Sequence, residues 1–237
     1  MSDCYTPEGK TVGTTHFKRE VDAVIADTAI LVRQPVRLLL AGVFDALAKF
    51  IEIRHRYRED DAIENIPLGL DYAYALSCHS YRILTEDTAE CIADMENGTV
   101  SARFERLIFT SLAATGVISG IARGSNQTAL AHKFYEITRT LFPTDARPYL
   151  HGEIVGVGLL LQNKYNGEEE RNDSLIELMK KHNMPRLATD VGITLTDDIK
   201  AEYERILQNS SSIDKNNEEE CRQLHASLAY LFEMNNI

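Results

Sequence analysis

The stretch that decides the fold runs from Gly124 to Gln162: GSNQTALAHKFYEITRTLFPTDARPYLHGEIVGVGLLLQ. It holds two histidines, His132 and His151, each inside an apolar run of helical spacing. A short link containing Pro143 and Pro148 separates the two runs. The spacing predicts a helix that carries His132 and ends before Pro143, because proline breaks the helical hydrogen-bond ladder. A second helix is predicted from about Pro148 to Tyr165. It opens with His151-Gly152-Glu153 and continues through the small residues Val155-Gly156-Val157-Gly158. Neutral imidazole is the commonest metal ligand among side chains. Two imidazoles on adjacent helices that face one interior make a plausible metal site.

Working outward, the same helical periodicity dominates. From Val36 to Tyr57 apolar residues recur at Val36, Leu39, Leu40, Val43, Leu47, Phe50 and Ile51, with Pro35 at the start. Asp45 sits mid-helix, bracketed by Phe44, Ala46 and Leu47. A charged linker, Glu59 to Asn65, precedes a second helix from Pro67 to about Met95, which Asn97-Gly98 stops. A third is predicted over 99–121. Its run from Leu107 to Ile121 is so apolar that burial on nearly every side is expected, with Gly116 and Gly120 allowing close backbone approach. Ser125 or Asn126 is placed to cap the helix that follows. Three amphipathic helices, at about 172–182, 196–209 and 217–235, complete the chain. Residues 1–20 read as loop or short edge strands, and Asp22 to Asp27 (DAVIAD) reads as a short strand. The expected class is therefore mainly α: a short β-containing lead over 1–32 and a helical domain over 33–237.

Composition narrows the function classes. A hydrophobic fraction of 44% and a charged fraction of 26% over 237 residues are those of a chain able to bury a core. The net charge of −11 argues against nucleic acid and anionic membrane as partners, since both are polyanions. No apolar run reads as long enough to span a bilayer. Cys4, Cys78, Cys91 and Cys221 form no CxxC pair and read as reduced thiols in a cytoplasm-like compartment.

A buried carboxylate must be paired, hydrogen-bonded or metal-bound. Asp45 with His132 and His151 would leave positions open on a divalent ion, as a catalytic site requires. The ligand types suit zinc or ferrous iron and do not choose between them. His55, His79, His182 and His225 show no comparable pattern, and Arg123 and Arg147 read as salt-bridge residues.

Three segments resemble a known family. Pro35-Val36-Arg37-Leu38-Leu39-Leu40-Ala41-Gly42-Val43-Phe44-Asp45-Ala46-Leu47-Ala48 resembles the first helix of the C-terminal domain in glycerol dehydrogenases. These are members of the iron-containing alcohol dehydrogenase and dehydroquinate synthase-like superfamily. Leu130-Ala131-His132 resembles the second ligand helix, and Leu150-His151-Gly152-Glu153-Ile154-Val155-Gly156-Val157-Gly158 its His-Gly-Glu signature. Val24 to Thr28 looks like the strand leading into that domain. The likeness runs from roughly Tyr5 to Asn209.

The resemblance implies metal ligation by Asp45, His132 and His151, and alcohol or polyol oxidoreduction with NAD. It also implies a separate nucleotide-binding domain. This chain has no glycine-rich strand-to-helix turn, so NAD is expected only where that domain is supplied, and no residue here is assigned to the cofactor. Without it the enzyme is incomplete. Expected partners are such a domain or further copies of this chain, with a small alcohol or polyol as substrate. Two departures bear on the site. Lys49, one turn after Asp45, stands where the iron-type branch has histidine, which implies zinc over iron. It also leaves open a lysine-neutralised, non-catalytic relict that serves in assembly. Phe44 replaces a glycine and is placed to fill part of the substrate space. Ser125, Tyr135 and Glu153 are assigned supporting positions around the ligands. Dehydroquinate synthase-like lyase chemistry is a further alternative, against which Asp45 argues in place of glutamate.

Overall fold

The computed structural model describes residues 2–6, 11–15, 22–57, 62–122 and 129–234. The chain is mainly α-helical and divides into two compact units. One is Val21–Thr128; the other joins Met1–Glu20 to Ala129–Ile237.

In the first unit, α1 (Thr28–Leu31) leads to α2 (Val36–Ile53), α3 (Leu68–Asn97), α4 (Ala102–Phe109) and α5 (Thr115–Ala122). The strand expected over Asp22–Asp27 does not form. Val24 and Ile25 are exposed, and no second strand pairs with the run among the described residues. Asp27 instead caps α1, its Oδ1 accepting from the backbone N–H groups of Ala29 (3.0 Å) and Ile30 (3.3 Å). Gly98 ends α3 in the left-handed conformation at φ 62°, as the Asn97-Gly98 pair predicts. Ser101 then caps α4 by accepting from Phe104 N–H at 3.1 Å.

A buried carboxylate ties α4 to α3. Asp87 is 3% exposed and accepts from Arg106 Nε at 2.8 Å and Nη2 at 2.5 Å. Arg103 reaches its other oxygen at 3.5 Å. The apolar core here includes Ile53, Leu70, Ala73, Ile118 and Ala122. Beside it Arg54 Nη1 donates to Tyr74 OH at 2.7 Å, and the rings of Tyr57 and Tyr74 stack at 3.9 Å.

The single helix expected over 99–121 is interrupted by a π-helical stretch, Thr110–Ala114. It is also not buried all round. Phe109, Leu112 and Val117 are 65%, 48% and 53% exposed. Nothing lies within 4 Å of a Cβ built at Gly116 or Gly120, so neither glycine serves a close approach. The close approach is at Gly69, whose added Cβ would sit 2.6 Å from Ile121 O. The expectation that no apolar run could span a bilayer also fails on length and composition. Ala102–Ala122 is one helical run long and apolar enough to do so, although Arg103 and Arg106 in its first turns hold the buried Asp87 of α3.

In the second unit, β1 (Ser2–Tyr5) and β2 (Thr11–Thr15) form an antiparallel hairpin, and β2 runs beside α6 (Leu130–Leu141). The rest is α7 (His151–Asn166), α8 (Arg171–Lys181), α9 (Asp197–Gln208) and α10 (Glu218–Glu233). Phe134, Tyr203 and Phe232 pack ring to ring, at 5.4 and 5.8 Å. Burial pushes the Tyr203 hydroxyl's pKa up, and a 2.9 Å hydrogen bond to Thr138 partly offsets this. Buried Asn172 donates from Nδ2 to Leu160 O (3.0 Å), and its Oδ1 accepts from Asn163 Nδ2 (2.9 Å). These bonds fasten α8 to α7.

Candidate metal centre

The arrangement of α6 and α7 begins with one missing side chain. Gly158, two turns along α7 from His151, lies against the backbone of Ala131, the residue before His132. A Cβ there would stand 2.7 Å from Ala131 O and 2.9 Å from Ala131 Cα. The glycine thus brings the two helices together beside the histidines. A second device acts at the start of α6. Ser125 and Asn126 lie outside the described residues, and the N-cap position is Ala129, which has no capping side chain. The cap comes from across the helix pair. Buried Gln162 of α7 accepts from Leu130 N–H at 2.7 Å and donates to Asn166 Oδ1 at 2.9 Å. One amide satisfies a helix-start donor and fixes the register of α6 on α7.

With the helices so placed, His132 and His151 are half-buried and their ring centroids lie 5.4 Å apart. Tyr135, one turn beyond His132 and 1% exposed, lays its ring 4.1 Å from that of His151 at a tilt of 59°. Glu153 is 3% exposed, and its Oε2 accepts from Leu150 N–H at 2.7 Å. It secures the helix start from which His151 projects, as a carboxylate in a first turn does. The imidazole pair is thus buried on one side by an aromatic ring and carried by two helices locked in register. Its donors are of the type a zinc or ferrous ion takes, so the residues fit a divalent metal.

Asp45, Phe44 and Lys49 belong to α2 in the Val21–Thr128 unit. Asp45 is half-buried, Phe44 is 1% exposed, and Lys49, one turn after Asp45, is 9% exposed. Two further histidines make contacts of their own: His225 Nδ1 meets Glu204 at 3.1 Å and His79 Nδ1 meets Arg82 at 3.3 Å. Arg147 is exposed.

Two residues in this region are not singled out by motif. One is Gln162. The other is Arg139, two turns after His132 on α6, which reaches the loop between the ligand helices. Its signal in the sequence is a basic residue in the last turn of a helix, where exposed carbonyls need donors.

No protein-family model matches the chain. Similar curated proteins are nevertheless clear. The chain is 31% identical to a glycerol dehydrogenase of Thermotoga maritima over 160 residues, 68% of this chain and 42% of that protein. It is 33% identical to a glycerol dehydrogenase of Escherichia coli O6:H1 over 162 residues, again 68% and 42%. A glycerol-1-phosphate dehydrogenase [NAD(P)+] of Pyrobaculum islandicum is 29% identical over 177 residues, 72% of this chain and 48% of that protein. Among solved structures, a probable glycerol dehydrogenase from Sinorhizobium meliloti matches with a TM-score of 0.74 at 22% identity. That match covers 98% of this chain and 65% of the other. The glycerol dehydrogenase of Schizosaccharomyces pombe matches at 0.72 and 19% identity, covering 99% and 61%. These two show the shared fold. The chain spans about half the length of the curated relatives it matches. Over the roughly 70% of its length that these relatives match, the chain belongs to the glycerol dehydrogenase family.

Proposed function

We propose that this chain supplies the metal-ligand half of an alcohol or polyol oxidoreductase of the glycerol dehydrogenase type. Its ligands are His132, His151 and Asp45, and its metal is zinc in preference to iron. The observation that carries the reading is the imidazole pair on α6 and α7, 5.4 Å apart, in a chain whose relatives are named glycerol dehydrogenases. A divalent ion held there would supply Lewis-acid polarisation of an alcohol oxygen, for hydride transfer to a nicotinamide bound by a separate nucleotide-binding domain. His132 and His151 hold the ion through ring nitrogens. Tyr135 closes one side of His151 against water. The family resemblance assigns Asp45 of α2 as the third ligand and Phe44, where relatives carry glycine, as a limit on the room for substrate.

Metal analysis of the purified chain tests this. Wild type is expected to carry about one zinc per chain, and His151→Ala and Asp45→Asn to lose it. Wild type free of metal after zinc supplementation would leave the other reading, in which Lys49, one turn after Asp45 on the same helix, neutralises the carboxylate and the site is a relict. The chain alone is expected to reduce no NAD with glycerol. Turnover by the pure chain would overturn the need for a separate nucleotide domain.

A further inference from the structure

We propose that Arg139 is a positioning residue for His151, acting through the α6–α7 loop and the Tyr135 ring; this rests on His151 being a metal ligand. Three contacts converge on one guanidinium. Its Nη1 donates to Ala146 O at 2.6 Å and its Nη2 to Tyr149 O at 2.5 Å. Both carbonyls lie in the loop that delivers the chain to α7, and Tyr149 is the second residue before His151. The same guanidinium lies over the Tyr135 ring, its Cζ 5.6 Å from the centroid. That ring in turn rests 4.1 Å from His151. Its Nε is buried and makes no hydrogen bond among the described residues, so the two carbonyls and the aromatic face define its seat. A planar fork with two donors fixes two carbonyls at once, which a single ammonium does not. The loop fixes where the His151 backbone enters α7, and the Arg139–Tyr135 pair fixes the wall against which the imidazole stands. Outer residues that orient a metal-binding histidine in this way change metal affinity about 10–100-fold when removed.

The test uses the full chain labelled with 15N-histidine, wild type against Arg139→Met and Arg139→Lys. Ring signals are assigned by His132→Gln and His151→Gln. In Arg139→Met the His151 ring signals are expected to shift or broaden while those of His132 stay in place, and Arg139→Lys to restore them in part. Cobalt(II) affinity, followed by its visible absorption, is expected to fall about tenfold in Arg139→Met. Unchanged His151 signals in a variant that keeps its helical circular dichroism overturn the proposal. So do equal changes in both rings, which mean general loosening. Should Arg139→Met not fold, Arg139→Lys decides alone: His151 signals identical to wild type overturn it. Wild type that takes up no cobalt sinks the metal reading, while the ring signals still decide the positioning role.

Discussion

Burial has moved the Cys91 thiol far from its ordinary titration. The residue is 0% exposed on α3, and its pKa rises from 9.0 to about 12, first through loss of hydration and then through the negative charges of Asp87 and Asp94. A thiol whose folded pKa is raised stabilises the fold fully below its unfolded value and loses that contribution as pH climbs toward the folded one. The window here runs from 9.0 to about 12. Urea unfolding at about pH 8 and about pH 10.5 is expected to show lower stability at the higher pH, and Cys91→Val to lessen the drop. In the native protein a thiol reagent should leave Cys91 untouched until unfolding. The histidines were legible at this same scale, because each interrupts an apolar helical run and the resemblance gives them a common role. Arg139 was not, because its role depends on the path of a loop between two prolines, which periodicity does not describe. Gln162 was hidden for a related reason: a helix cap is sought in the residues just before a helix, and this one arrives from another helix.

Single elements carry the spacing of the ligand helices. At Gly158 a methyl group has no room against the Ala131 backbone, and helix backbones do not yield as a flexible side chain would. Gly158→Ala is expected to cost about 1–3 kcal/mol in thermal or urea unfolding and to weaken metal uptake as well, since α7 must move off α6 beside His132. The same substitution at Gly116, where nothing lies within 4 Å, is expected to be neutral or slightly stabilising by helix propensity. The contrast explains a misreading in the sequence: glycines in an apolar helix look alike, and only packing tells a close approach from an open face. The run Asp22–Asp27 misled in the opposite way. Its β-branched residues favour a strand, but strands need partners, and Asp27 serves better as a helix cap. Helix positions themselves were well legible, with α3, α6 and α7 ending close to where glycine and proline predict, since those signals are local.

For the whole molecule, the question is what covers the apolar residues left in water. Phe109, Leu112 and Val117 stand exposed along α4, the π stretch and α5, and Leu68, Tyr72 and Leu76 along the first turns of α3. Soluble monomers rarely leave such residues contiguous. Sedimentation is therefore expected to find the purified chain self-associated, and Phe109→Glu with Val117→Glu to shift it toward monomer. A strictly monomeric wild type would count against a covering partner. The sequence leads one to expect exposed apolar surface in a domain that packs on another, but not its place, since the run from Leu107 to Ile121 reads as core. Composition reports how much apolar surface exists, not which part of it a single chain leaves uncovered.

The division of the chain into Val21–Thr128 and the unit that joins Met1–Glu20 to Ala129–Ile237 sets an order of events during synthesis. The hairpin is made early, but α6, beside which β2 runs, emerges only after the whole of the other unit. At roughly 5–20 residues per second the hairpin waits on the order of ten seconds for its neighbour, as a two-stranded ribbon too small to hold itself together. Meanwhile α1 to α5 lie in one continuous segment. The unit encoded in the middle is thus free to finish first, and the one that holds both histidines is completed last.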